Sequence, residues 1–189
     1  RDEAGAFSLD ALRRTLGAGT PVRALEIKLS QGAKPGLGGL LPGVKVTPEI
    51  ALTRGVRPGV DCKSPARHAA FGDVDALLDF VEELADATGL PVGIKSAVGE
   101  TAFWEDLATL MAQGGRGVDF ITVDGGEGGT GAAPLVFADR VALPFKAAFP
   151  LVYQIFHQHG LSDQVAFIGS ARLGLPEAAL WGLAMGCDL

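Results

Sequence analysis

The sequence predicts an α/β protein built around a parallel sheet, and three observations carry that prediction. Short apolar runs rich in β-branched residues recur along the chain, segments with helical apolar spacing separate them, and glycine-rich loops follow two of the runs. With 189 residues, 48% of them hydrophobic, the chain can bury a sizeable core and fits a single domain over 1–189.

The elements follow in order. A small helix is expected at Leu9 to Leu16, capped by Ser8 and stopped by Gly17, and a first strand at about Ala24 to Leu29. The next helical stripe is Val74, Leu77, Leu78, Val81, Leu84 and Ala85, with Asp73 as N-cap and Gly89 as stop. Pro91 to Lys95 then reads as a strand, Phe103, Leu107, Leu110 and Met111 as a helix face, and Val118 to Val123 as a buried strand. Phe145, Phe149, Val152 and Phe156 mark a third long helix, Val165 to Ile168 another strand, and Pro176 to Met185 a last helix. Cys187 to Leu189 opens one more strand. The strands lack strict alternation, which suits burial on both faces.

This count gives four strand-helix units and the start of a fifth strand. A closed (β/α)8 barrel needs eight of each, usually in about 250 residues. The chain therefore reads as an open doubly wound sheet or as part of a larger barrel.

Between the first strand and the helix at 74 lies a connection well beyond the ~15 residues common in compact domains, so it carries function or small structure of its own. Gln31, Lys34, Lys45, Arg54, Arg57, Lys63, Arg67 and His68 fall within it, a basic stretch in a chain of net charge -6. That asymmetry suggests an anionic ligand, with a solvated charged loop as the alternative.

Composition excludes other partners. Sixteen basic residues against 22 acidic ones, with no basic stripe, give nucleic-acid binding no electrostatic support. No apolar run approaches the ~20 residues needed to cross a bilayer, and the opening Arg1-Asp2-Glu3 does not resemble a signal peptide. A cytoplasmic location is the default expectation. Cys62 and Cys187 lack metal-ligand spacing, so no metal site is expected and each reads as a buried or idle thiol.

The richest stretch is residues 26–43, where an apolar strand opens into bare glycine backbone around Lys34. Glycine is costly to order, so a cluster signals positive φ angles or backbone that must approach an anion or a flat cofactor closely. A second such loop, Asp124 to Gly131, follows Phe120-Ile121-Thr122-Val123. Two glycine-rich strand exits suggest one shared pocket. Neither has the Walker ending or the dinucleotide fingerprint.

Gln31-Gly-Ala-Lys-Pro-Gly-Leu-Gly-Gly-Leu-Leu-Pro-Gly43 together with Asp124-Gly-Gly-Glu-Gly-Gly-Thr-Gly-Ala-Ala-Pro134 resembles the FMN-binding domain of the glutamate synthase family. Ser64-Pro-Ala-Arg-His68, Pro91-Val-Gly-Ile-Lys95 and Ile168-Gly-Ser-Ala-Arg-Leu-Gly174 occur in the family's order, so the resemblance covers nearly the whole chain. Within the family it is most similar to the stand-alone glutamate synthase-like proteins. The resemblance implies a partial (β/α)8 TIM barrel, about strands 4 to 8, with Lys34, Lys95, Asp124 and Gly169 on one rim. That is the rim where barrel enzymes keep their chemistry.

The resemblance further implies an FMN site at Gln31, Lys95, Asp124, Gly125, Gly126, Gly169 and Ser170. Gly169 and Ser170 would receive the phosphate through backbone amides, and Lys95 would sit beside the pyrimidine edge of the flavin. Gln31, Lys34 and Arg54 would hold 2-oxoglutarate, a dicarboxylate that needs two cationic anchors. Lys95 and Glu127 are the catalytic candidates, Glu127 as a proton carrier or a solvated loop carboxylate. His68, in the long loop, would contact an anion or serve as local packing or a cap.

The implied reaction joins 2-oxoglutarate and ammonia to 2-iminoglutarate, which a hydride from reduced FMN converts to glutamate. Leu37 and Leu40 depart from the polar residues of the long enzymes, which opens the site to a larger or more apolar acceptor. The family's iron-sulfur cysteines lie beyond the eighth strand, so a cluster belongs to the full-length protein and not to this chain. Ammonia-supplying and electron-donating partners are implied. The alternatives are an FMN subunit similar to methylamine-glutamate N-methyltransferase and a catalytically inert fragment. A half-open barrel would expose apolar edges, so self-association is expected of this piece expressed alone.

Overall fold

In a computed structural model, residues 6–19, 21–36, 38–129, 133–138 and 140–189 are described. The expectations for Arg1 to Glu3, Leu37, Thr130 and Gly131 lie outside the described residues.

Local chemistry explains most element boundaries. Helix α1 (Leu9–Gly17) begins where Ser8 Oγ accepts from the Ala11 amide at 3.2 Å. Strand β1 (Leu25–Lys28) follows. The long connection folds into strand β2 (Leu40–Leu41), helix α2 (Pro48–Arg54) and strand β3 (Cys62–Lys63), with β2 and β3 paired antiparallel. Helix α2 starts on Thr47, with Pro48 in its first turn, and ends at Gly55, whose φ of 64° only glycine adopts cheaply.

Helix α3 (Val74–Thr88) is capped by the Asp73 carboxylate, which accepts from the Ala76 amide at 2.8 Å, and is closed by left-handed Gly89. Strand β4 (Val92–Ser96), helix α4 (Ala102–Ala112), strand β5 (Phe120–Asp124), helix α5 (Phe145–Gln158), strand β6 (Ala166–Ser170) and helix α6 (Pro176–Ala184) complete the order. Pro150 lies inside α5, where it forfeits one backbone bond. The helix persists because Phe145, Ala148, Phe149, Val152, Ile155 and Phe156 are all buried.

The main sheet runs β1-β4-β5-β6, every pair parallel. All four strands consequently end on the same rim. This architecture is compatible with a partial TIM barrel or an open α/β sheet. The strand expected from Cys187 takes the form of backbone bonds beside β6. The Asp188 amide donates to the Phe167 carbonyl at 2.8 Å, and the Gly169 amide donates to the Leu189 carbonyl at 2.9 Å.

One face of the sheet carries Ile27, Val92, Ile94, Ile121, Val123 and Phe167, which join α3, α4 and α5 in a single hydrophobic cluster. Period-two alternation places Glu26, Lys28, Lys95, Thr122, Asp124 and Ser170 on the other face. The expected burial on both faces holds for β5, where Thr122 and Asp124 are buried as well as Ile121 and Val123, but toward the rim the inner face is polar. Thr122 donates to Glu26 at 2.7 Å across two strands, which satisfies the buried hydroxyl.

Away from the cleft, polar groups tie the connection between α4 and β5 to α3 and β4. Arg116 grips Asp75 and Asp79 of α3, and those two carboxylates hold its guanidinium pKa above the ordinary value. Asp119 accepts from the Val92 amide at 2.7 Å, and Glu82 from the Gly117 amide at 2.9 Å.

Candidate functional site

Sheet register decides which side chains meet at the rim. Lys28 stands beside Lys95, and Asp124 beside Ser170. Lys95 reaches over β5: its Nζ lies 3.2 Å from Asp124 Oδ1 and donates to Ser170 Oγ at 2.9 Å. Ser170 in turn donates to Asp124 Oδ1 at 2.6 Å. The other carboxylate oxygen, Oδ2, accepts from the Gly32 amide at 2.7 Å. Asp124 is 5% exposed, so these bonds compensate the burial of its charge.

The two glycine-rich loops touch. A Cβ on Gly32 would fall 1.9 Å from the Gly125 carbonyl oxygen, so only a bare α-carbon allows the approach. Gly125 is bare for a related reason: a Cβ there would meet a Glu127 carboxylate oxygen at 2.5 Å and the Phe145 amide at 2.8 Å. Beyond Gly126, whose amide donates to the Leu143 carbonyl at 2.9 Å, the loop turns back toward α5.

A cleft of about 250 Å³ opens between these elements, lined by Lys28, Gln31, Lys95, Asp124, Ser170 and the 128–129 glycines. A larger trough of about 1020 Å³ runs beside it along β1 and shares Lys28 and Gln31. Lys34, Arg67 and His68 line that trough. Lys28 Nζ donates to Gln31 Oε1 at 3.0 Å, which fixes the amide of Gln31 at the junction.

The structure thus brings together Gln31, Lys95, Asp124 and Ser170, and sets Lys34 in the adjoining trough. It does not bring Arg54 to them. Arg54 ends α2, is exposed, and lines neither space. Two further residues have other partners than expected, and His68 takes up its packing alternative. Both Glu127 carboxylate oxygens accept from the Phe145 amide, at 3.1 and 2.9 Å, so the side chain caps α5, whose own N-cap is a proline. The Gly169 amide, expected to face a phosphate, is engaged by Leu189. His68 Nε2 bonds the Lys28 carbonyl at 2.9 Å while its ring stacks on Phe71, so it closes part of the β1 edge.

Lys28 is a site residue that the motifs do not reveal. Its signal is the alternation of Glu26 and Lys28 with Leu25, Ile27 and Leu29, which places a second lysine on the face that carries Lys95.

A parallel sheet whose strand ends and glycine-rich loops border a polar cleft offers a candidate strand-end ligand site of the α/β class. Residues 20–189 match the conserved region in glutamate synthase. The chain is 39% identical over 188 residues to the glutamate synthase large subunit-like protein YerD of Bacillus subtilis (strain 168), covering all of this chain and 35% of that protein. It is 38% identical over 167 residues to the archaeal glutamate synthase [NADPH] of Methanocaldococcus jannaschii, 87% of this chain and 32% of the relative. Against the ferredoxin-dependent glutamate synthase of Pyropia yezoensis it is 34% identical over 147 residues, 76% of the chain and 9% of the relative. The chain belongs to the glutamate synthase family, and it spans about a third of the length of the first two relatives. Among the described residues no helix is long and apolar enough to cross a membrane.

Proposed function

We propose that this chain supplies the FMN-binding and substrate-binding rim of a glutamate synthase-type oxidoreductase, which reduces 2-iminoglutarate, formed from 2-oxoglutarate and ammonia, to glutamate. The observation that carries the reading is the convergence of Gln31, Lys95, Asp124 and Ser170, drawn from four strand ends, on one polar cleft.

The residues present fit a flat anionic cofactor. Gly128 and Gly129 face the cleft without side chains, and Lys28, Gln31 and Lys95 offer donors along its wall. When bound, FMN supplies the hydride-transfer chemistry that no side chain here can perform. Gln31 and Lys95 would hold its ring system, with Lys95 opposing negative charge that accumulates on reduction. Since the Gly169 amide is engaged, we place the phosphate on the turn that begins after Ser170.

The chain's own task is orientation and charge. Lys34 anchors one carboxylate of the oxo-acid, and Lys28, rather than the distant Arg54, anchors the other. Glu127 steadies the glycine-rich loop by capping α5, and we assign it no proton transfer. Ammonia and electrons arrive from outside this chain, with NADPH and ferredoxin the donors in the names of its relatives.

Purification of the full-length protein tests the reading. A yellow protein that releases FMN and forms glutamate from 2-oxoglutarate, ammonia and an electron donor is expected. A colourless protein that cannot be reconstituted with FMN would overturn it. N-methylglutamate formed from methylamine would instead assign the methyltransferase-like role.

A further inference from the structure

Among the described residues, the Asp124 carboxylate is the one group at the rim that bonds to three other strand ends at once. Oδ2 holds the amide of Gly32, in the loop after β1, at 2.7 Å. Oδ1 holds Lys95 of β4 at 3.2 Å and Ser170 of β6 at 2.6 Å. Lys95 and Asp124 are 21% and 7% exposed at their side chains, so water screens the pair only weakly. The Gly32 bond spans 92 residues of sequence and fixes the turn in which the Lys34 amide donates to the Gln31 carbonyl at 3.1 Å.

We infer that Asp124 is a positioning residue that couples two functions of the rim. One carboxylate oxygen keeps the Lys95 ammonium aimed, and the other holds the Gln31 to Lys34 turn in place. The assignment of these two functions to flavin and oxo-acid binding rests on the proposed function; the network itself does not. A carboxylate with separate duties on its two oxygens makes a distinctive forecast. Changes at Ser170 disturb only the Oδ1 side, whereas loss of the charge disturbs both sides, although Lys95 and Gly32 do not bond each other.

The full-length apoprotein tests this without cofactor. Competitive acetylation of lysines, read by mass spectrometry at pH 8, reports how firmly the Lys95 amine is held, and amide hydrogen exchange reports Gly32. In Asp124→Asn, Lys95 is expected to label at least fivefold faster near pH 8, because its amine loses the charged partner that holds it against the rim. Exchange at the Gly32 segment is expected to rise at least tenfold. In Ser170→Ala, Lys95 labelling rises while Gly32 protection stays within twofold of wild type.

Should Asp124→Asn fail to fold, Ser170→Ala and Asp124→Glu carry the test. The glutamate variant keeps Lys95 labelling within twofold and loses Gly32 protection, since the charge survives and the reach changes. Lys95 labelling that is unchanged in Asp124→Asn and Ser170→Ala, or Gly32 exchange that rises in Ser170→Ala, overturns the inference. Wild-type protein that binds no FMN would sink the functional reading and leave these measurements standing.

Discussion

The Gly32 amide donates to the Asp124 carboxylate at 2.7 Å, and this bond ties the loop after the first sheet strand to the end of the third, where the second glycine-rich loop begins. It exists because neither loop carries bulk at the crossing point: a Cβ on Gly32 would overlap the Gly125 carbonyl at 1.9 Å.

Gly32→Ala is therefore expected to separate the two loops rather than to be absorbed. The obstacle is backbone, which cannot rotate away. Flavin retention should fall at least tenfold, and stability by about 1–3 kcal/mol, as for overpacked sites generally. Flavin fluorescence on dilution and urea unfolding of the full-length protein check both; wild-type retention would refute the expectation.

On the inner face of the sheet, Phe120 lies against Gly93, where a Cβ would stand 2.3 Å from the ring. Gly93→Ala should cost about 1–3 kcal/mol. Pairing it with Phe120→Leu should recover part of the loss, with a coupling of at least about 0.5 kcal/mol in a double-mutant cycle. Strict additivity would show that the ring moves aside freely.

Glu127 separates a structural role from a chemical one. Removing its carboxylate in Glu127→Ala leaves the first amide of α5 uncapped and should lower stability by about 1 kcal/mol. Turnover of the loaded enzyme should stay within about threefold of wild type at saturating substrate. A loss of a hundredfold or more, the scale of general acid-base catalysis, would restore the proton-carrier role.

Cys187 is buried beside Gly169 and Gly182, and burial, with Asp188 next to it, pushes its thiol up to about 11 from 9.0. The folded state holds this proton more tightly than the unfolded chain. The associated stability is present below pH 9 and is lost as pH rises through about 11. Unfolding free energy should fall between pH 8 and 10.5 by about 1–2 kcal/mol more in wild type than in Cys187→Ala, a tenfold difference in proton affinity being worth about 1.4 kcal/mol. Parallel pH profiles of the two proteins would contradict this.

The secondary structure is legible in the sequence where short-range chemistry sets it. Ser8, Asp73 and Gly89 act as the caps and stop that their positions predict, because those bonds span three or four residues. Helix α2 is harder to see although Thr47, Pro48 and Gly55 spell its boundaries, since seven residues show little apolar period amid the charges of the connection. Strands β2 and β3 have two residues each, too few to show any period.

At the site, side-chain chemistry is readable from sequence but partnership is not. Asp124, Lys95 and Ser170 stand out as cofactor-binding candidates, yet their bonds to one another cross 46 and 75 residues. Glu127 looks like a free loop carboxylate because the amide it caps lies 18 residues downstream. Arg54 and Lys28 exchange significance for the same reason.

Local order along the chain determined the caps, the strand runs, the glycine-rich loops and the family signature, because each depends on neighbours within a few residues. Tertiary structure alone decided that one buried carboxylate serves three strand ends and that Lys28, not Arg54, shares the cleft. Parallel pairing brings residues tens of positions apart into register, and only that register determines which charges are desolvated together.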